Sequence, residues 1–414
     1  MREFSGSKTL AVVALALVSA LGVAYIFSTG YLGSQYPVRP NWLRQCAFLA
    51  LGAVAAVWMS RLDHRGTLWR VVVWGGYAAG VVLLAVVLVA GKEIGGARRW
   101  LRAGPLLLQP AEFAKTFTLL AGAWLAAGMS GWKRRYDFLA LLGCFLLPMG
   151  LMLLEPSYGN AGSLAPCLAV LVGICFFPRW LWNLCAVLAV AVLFAVAVGV
   201  NYLRNQPPPP DVTAAAGPAE SGFLHGYHLK RLHAFLSPEG DWNEQQSLMT
   251  VAGGGWFGKG YLNGTMKKLG FLPRTVAPTD FIFAVIAEEG GLVFGVLPVL
   301  ALYMLLFALL LHRAGHAADR QELAIVCAGC TLLFLHVLVP VGMSIRLVPV
   351  IGLPLPLLSY GGSFTLATMM LMGAMLGIRT QAEEGEDAPE PAAANGLTLR
   401  LGPFFRLKIT NKDG

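Results

Sequence analysis

Glu112 and Lys115 stand three residues apart in the stretch Gln109-Pro-Ala-Glu-Phe-Ala-Lys, at the start of an apolar run. At that spacing two side chains share one face of a helix. Charges carried into a membrane must face the bundle interior or a wet cavity, so the pair is either a structural ion pair or one wall of a polar site. A second block, Glu155-Pro-Ser-Tyr-Gly-Asn, sets a carboxylate beside a helix break at Pro156 and Gly159. Glu155 reads either as a plain interface acid or as part of a site. A third block runs through Asn243-Glu-Gln-Gln-Ser, Gly253-Gly-Gly, Gly258-Lys-Gly-Tyr-Leu-Asn-Gly-Thr and Thr279-Asp-Phe-Ile-Phe-Ala. Its glycines permit tight turns and close backbone approach to a ligand. Asp280 opens a long apolar run, with Glu288 and Glu289 two turns deeper. Partial burial raises the pKa of such a carboxylate and makes it a better base, although Asp is equally a common helix N-cap. A fourth block, Pro349-Val-Ile-Gly-Leu-Pro-Leu-Pro-Leu-Leu-Ser-Tyr-Gly-Gly-Ser, has three prolines and paired glycines. It is not a regular span, and is either a re-entrant segment buried in protein or a rigid turn.

The elements that must position these blocks are membrane helices. Of the 414 residues 57% are hydrophobic and 13% charged, and mean hydropathy is +0.64. Soluble domains carry about 25% charged residues, so a soluble enzyme, a disordered chain and a disulfide scaffold are excluded. A hydrocarbon core about 30 Å thick needs about 20 apolar residues as helix. Ten runs meet that need, near 8–28, 43–60, 69–91, 111–129, 137–154, 162–178, 180–200, 281–311, 322–343 and 362–378. The composition therefore predicts an all-α polytopic bundle over residues 1–379, with a large extracytoplasmic loop at 201–280 between helices seven and eight. The first part of that loop is Pro/Ala/Gly-rich and extended. The part from 228 to 280 has the mixed composition of an ordered loop. The eighth run is long and should tilt or begin as an exposed segment. Residues 380–414 read as a cytoplasmic tail without fixed structure, acidic at first, with a final apolar and basic stretch suited to the inner leaflet.

Lysines and arginines after helices two, four and eight and in the tail place those connections, and both termini, in the cytoplasm. The opposing loop 91–110 carries Lys92, Arg98, Arg99 and Arg102 against that bias. Together with a net charge of +9, this points to anionic lipid or an anionic substrate, not nucleic acid. The seven cysteines all fall in apolar runs and suit helix packing, Cys327 and Cys330 included.

Taken in order on ten spans, these blocks resemble the SEDS family of shape, elongation, division and sporulation proteins, over roughly residues 95–379. The most specific stretches are Gln109-Pro-Ala-Glu-Phe-Ala-Lys, Thr279-Asp-Phe-Ile-Phe-Ala-Val-Ile-Ala-Glu-Glu and Pro354-Leu-Pro-Leu-Leu-Ser-Tyr-Gly-Gly-Ser. Gly258-Lys-Gly-Tyr-Leu-Asn-Gly-Thr, followed by Leu269-Gly-Phe-Leu-Pro, is closer to the elongation (RodA-type) branch than to the division (FtsW-type) branch. The resemblance implies a glycosyltransferase of the bacterial inner membrane that polymerises lipid II into peptidoglycan, in contact with the nascent strand and a class B penicillin-binding protein. It implies that Asp280 is the essential aspartate, Glu112 and Lys115 the buried pair, Arg98 and Trp100 the outer-loop Arg-Trp, and Arg231 the loop arginine. It also places Ser359 in the site. The chain departs from the family with Ser157 in place of an Asp in the second block, with Pro340 for the Asn before Gly-Met, with a lengthened stretch before Thr279, and with a Pro-rich insert after Arg204.

Glycan extension requires a base for the attacking hydroxyl, here Asp280, and fixed cations for a departing diphosphate. Arg98, Arg102, Lys115, Arg231 and Lys259 are the candidates, and a divalent cation (Mg or Mn) would serve the same end. No other cofactor is implied. Attack opposite the diphosphate inverts the anomeric centre. Two other classes fit ten spans with buried charges, namely a lipid-precursor flippase and a scaffold that activates a partner. A key carboxylate at the outer mouth favours chemistry, and a midplane pair favours transport.

Overall fold

The computed structural model describes residues 2–33, 38–94, 97–104, 106–128, 135–176, 242–381, 396–400 and 406–410. Nine of the ten apolar runs are helical among them, and the run at 180–200 lies outside. The helices are α1 (Arg2–Gly30), α2 (Asn41–Arg61), α3 (Thr67–Ala90), α4 (Pro110–Gly128), α5 (Arg135–Leu154) and α6 (Tyr158–Phe176). After the undescribed stretch come α7 (Trp242–Ala252), α8 (Thr265–Lys268), α9 (Ile282–Gly290), α10 (Leu297–Gly315), α11 (Arg320–Ser344) and α12 (Gly362–Leu376). Among the described residues, seven helical stretches are long and apolar enough to cross a membrane, counting 282–315 as one. Helix α4 carries two charges in its first turns, and α12 has 15 residues. The irregular segment 349–361 precedes α12, as the three prolines predict.

Helix α4 lies at the centre, buried along most of its length against α3, α5, α6, α11 and α12. Small residues allow this. A Cβ on Gly80 of α3 would meet Ala114 of α4 at 3.0–3.2 Å, and one on Gly373 of α12 would meet the Ala56 carbonyl of α2 at 2.3 Å. Association of helices in lipid rests on such close packing.

Three features depart from the sequence reading. The loop 91–110 is an antiparallel ribbon of β1 (Lys92–Ile94), β2 (Ala97–Ala103) and β3 (Leu106–Leu108), in the order β1-β2-β3. Two of its strands have three residues and the other carries three arginines, so no stretch is long enough for periodicity to register. The tail also contains an antiparallel pair, β4 (Gly396–Arg400) and β5 (Arg406–Thr410). Apolar and polar residues alternate there, Leu397/Leu399 and Leu407/Ile409 against Thr398, Arg400 and Lys408, which is the strand period. The eighth run begins buried, from Phe281 to Glu289, and not as an exposed segment. It contains a π-helical turn, Gly291–Val296, between α9 and α10.

At one end of the bundle the connections after α2, after α10 and after α12 meet. Arg65 Nε is 2.8 Å from Asp319 Oδ2, and Arg313 donates to the Ile378 carbonyl at 2.9 Å. Asp319 caps α11 by accepting from Glu322 N, while Glu322 accepts from Arg379 N at 3.0 Å. The four chemical blocks gather at the opposite end.

Candidate active site

Asp280 stands just ahead of α9, whose cap position is held by Phe281. It is half-buried, and its N–H donates to the Val276 carbonyl at 3.0 Å. The backbone immediately before it is pinned by the fourth block. Ser359 Oγ donates to the Thr279 carbonyl at 2.6 Å, and Tyr360 N donates to the Pro278 carbonyl at 2.8 Å. Ser359 Oγ in turn accepts from Leu355 N at 2.9 Å. Ser359 thus acts on the aspartate turn through the backbone, joining residues 80 positions apart.

A second cluster lies on α4. Lys115 Nζ is 3.0 Å from Glu112 Oε2 and donates to Asn160 Oδ1 at 2.7 Å. It also lies 3.1 Å from His336 Nε2 on α11. The ammonium has three hydrogens to donate, and these three partners take them. Asn160 Nδ2 donates to Ser157 Oγ at 3.0 Å. The spacing predicts that Glu112 and Lys115 share a helix face, and they do. Asn160, in the second block, and His336, a lone His in an apolar run, carry no spacing signal that marks them as site residues.

A third cluster fixes the loop 253–268. Glu288 accepts from Lys259 Nζ at 2.7 Å and from Thr265 N at 2.8 Å. Glu289 pairs with Lys267 and accepts from Ser28 Oγ of α1 at 2.7 Å and from Leu262 N at 3.2 Å. Burial pulls the Lys267 ammonium below the usual lysine range, and Glu289 opposes that shift. Backbone pairs add to the clasp, with Lys259 N on the Glu288 carbonyl and Gly260 N on the Glu289 carbonyl, both at 2.9 Å. Gly258 adopts φ +78°, and a Cβ there would sit 2.2 Å from the Glu289 carbonyl, so only glycine fits. Lys259, a candidate cation for a diphosphate, is committed to Glu288 in this arrangement.

The ribbon supplies the remaining candidates. In β2 the strand period puts Arg98, Trp100 and Arg102 on one face and Arg99 on the other. Arg98 and Arg102 are exposed and Trp100 is half-buried. Arg98 lies 3.9 Å from Glu93, and Arg102 Nε donates to the Gly104 carbonyl at 3.1 Å. Arg99, which the motif passes over, donates to the Glu155 carbonyl at 3.3 Å and to the Pro156 carbonyl. It borders a cavity of 280 Å³ with Gln109, Ser157, Asn160, Leu335 and residues 349–353. Burial pushes the nearby Glu155 carboxyl up to about 8, with Arg99 pulling the other way. Arg231 lies outside the described residues.

The blocks named from sequence therefore converge on one end of one bundle. A family model described as "Cell cycle protein" (FTSW_RODA_SPOVE) matches residues 8–384. The chain belongs to this family. Among relatives of the FtsW/RodA/SpoVE family, "Peptidoglycan glycosyltransferase RodA" of Treponema pallidum is 28% identical, over 92% of this chain and 99% of that protein. "Peptidoglycan glycosyltransferase MrdB" of Escherichia coli K12 is 31% identical, over 81% and 85%. Among solved structures, a chain from work titled "Structural coordination of polymerization and crosslinking by a peptidoglycan synthase complex" matches at TM-score 0.65 and 30% identity, covering 92% of this chain and 98% of that one. The crystal structure of the rod shape determining protein RodA of Thermus thermophilus matches at TM-score 0.56 and 29% identity, over 89% and 94%.

Proposed function

We propose that Asp280 is the base with which this peptidoglycan glycosyltransferase extends glycan strands from lipid II. The observation that carries the reading is the seat of Asp280, a half-buried carboxylate just ahead of a membrane helix whose preceding backbone is held by Ser359 and Tyr360. A base must be fixed relative to the hydroxyl it deprotonates. With this end of the bundle on the outer face, Asp280 lies at the level where a lipid-linked diphosphate presents its sugar. The 4-hydroxyl of the acceptor attacks C1 of the donor sugar, the C1–O bond to the diphosphate breaks, and the proton passes to Asp280. Attack from the opposite face inverts the anomeric carbon.

The leaving diphosphate gathers negative charge and calls for fixed cations. Arg98 and Arg102, exposed on one face of β2, suit this role better than Lys115 or Lys259, which carboxylates hold at 3.0 and 2.7 Å, against 3.9 Å from Arg98 to Glu93. Among the described residues no group of three His, Cys, Asp or Glu side chains could hold a metal ion, and no step is routed through one. The elongation branch is favoured by Gly258-Lys-Gly-Tyr-Leu-Asn-Gly-Thr. The crosslinking partner is read as a class B penicillin-binding protein, in line with the synthase complex above.

The test is polymerisation of lipid II by purified protein, alone and with that partner. Asp280→Asn is expected to lower turnover by about 10²–10⁴-fold with an unchanged melting temperature. Polymerisation at the wild-type rate by Asp280→Asn would remove the aspartate from the mechanism.

A further inference from the structure

His336 joins the buried charge cluster to the segment that seats Asp280. Lysine has no hydrogen-bond acceptor, so in the 3.1 Å contact with Lys115 Nζ the His336 Nε2 must accept. The ring proton then resides on Nδ1, which faces the Pro354 carbonyl at 3.1 Å and donates to it. Both ring nitrogens are thereby committed, and the imidazole is neutral in a single tautomer, since a hydrogen on Nε2 would point at an ammonium. The ring is buried and stacks on Phe364 with centroids 4.9 Å apart and planes at 27°. It has little freedom to turn.

Pro354 belongs to the segment 349–361, in which Ser359 N donates to the Leu355 carbonyl at 3.1 Å and Tyr360 N to the Pro278 carbonyl at 2.8 Å. On the other side of Leu355 the segment is held by side chains, His336 on Pro354 among them, and Tyr303 donates to the Pro356 carbonyl. The next residue, Leu355, donates to Ser359 Oγ, and Ser359 donates to the Thr279 carbonyl beside Asp280. A continuous path of polar contacts therefore leads from Glu112 through Lys115, His336, Pro354 and Ser359 to the aspartate turn. A branch at Lys115 leads through Asn160 to Ser157, and both of these border the 280 Å³ cavity.

We infer that His336 is a positioning residue for the polymerisation reaction, fixing the 349–361 segment, and through it Asp280, by its bond to the Pro354 carbonyl, while Lys115 sets the tautomer that makes the bond possible. The inference rests on Asp280 as the base. Displacement of a catalytic group by about 1 Å costs on the order of 10²-fold in rate, so the expected signature is a loss of kcat with KM for lipid II little changed.

Two isosteric substitutions separate the two ring bonds. His336→Asn places an N–H where Nδ1 was and keeps the bond to Pro354. His336→Gln extends an amide to the Nε2 position and keeps an acceptor for Lys115 while losing the Pro354 donor. In lipid II polymerisation by the purified full chain, His336→Asn is expected to keep kcat within about threefold and His336→Gln to lose about tenfold or more, at equal melting temperatures. Hydrogen exchange at 277–281 and 353–361, which needs no activity, is expected to rise in His336→Gln and His336→Ala but not in His336→Asn. Equal effects of Asn and Gln, or unchanged exchange at 277–281 in His336→Ala, would overturn the inference. Asp280→Asn in the same series separates that outcome from a failure of the base assignment. If Asp280→Asn is active while exchange follows the predicted order, the positioning path stands and the base is wrong.

Discussion

Among the described residues the molecule holds two buried lysine–carboxylate systems built on different plans. Glu112 and Lys115 are a local pair on one helix, and their further partners, Asn160 and His336, are side chains of two other helices. Glu289 and Lys267 join a loop to a span, and Glu289 is completed by Ser28 and by backbone N–H groups of the loop. A carboxylate surrounded by backbone N–H groups fixes the shape of the chain around it. A lysine surrounded by side chains ties helices together and reaches the edge of a cavity. The first plan suits a transmission point within the bundle, and the second suits a clasp.

The contrast can be tested in order of expected size. Lys115→Met leaves Glu112 buried without its cation and is expected to cost about 3–5 kcal/mol, read as a fall in melting temperature of the purified protein. Adding Glu112→Gln to it should restore much of that loss, and strictly additive effects would mean that the pair is not coupled. In the clasp, Glu289→Gln keeps the shape but removes the charge opposite Lys267, at a cost of about 2 kcal/mol, with faster proteolytic cleavage within 256–268. Lys259→Met touches a side chain that is 31% exposed, and about 1 kcal/mol or less is expected there. If Lys259 proves the more costly of the two, the clasp centres on Glu288 instead.

A test outside both systems concerns Glu155, at the junction of α5 and α6. Its carboxyl titrates at about 8 in the fold against an ordinary 4.5. The folded state therefore holds the proton more tightly than the unfolded chain. The stability this contributes is full below pH 4.5 and is lost as pH rises through about 8. Melting temperature is expected to fall more steeply between pH 5 and 9 in the wild type than in Glu155→Gln. Parallel curves would mean that Glu155 is not held neutral.

Helices were legible in the sequence because lipid demands long apolar runs, and nine of those runs are helices here. Asp280 and the Glu112–Lys115 pair were legible because charges in apolar surroundings are conspicuous. The ribbon was not, since strands of three, seven and three residues, the longest with three arginines, leave no periodic apolar signal. Arg98 and Trp100 stand out only through the family resemblance, and Arg99, on the opposite face of β2, has no such signal. His336 was hidden for another reason. Its role depends on Lys115, 221 positions away, and on a carbonyl that has no side-chain identity. The commitment of Lys259 to Glu288 was equally out of view, because a lysine in a glycine-rich loop reads the same whether or not a carboxylate lies beside it.

The glycine that opens the π-helical turn at Gly291–Val296 has a consequence for the loop before Asp280. Gly291 has φ +65° and ψ −168°, which ends α9 in a conformation that favours glycine. The break frees the next two N–H groups from the helix ladder, and Leu292 N and Val293 N donate instead to the Gly255 and Trp256 carbonyls, both at 2.9 Å. The membrane span thus lends its own backbone donors to the loop, and a side chain at position 291 would disturb that seam with every hydrogen-bonding side chain still present.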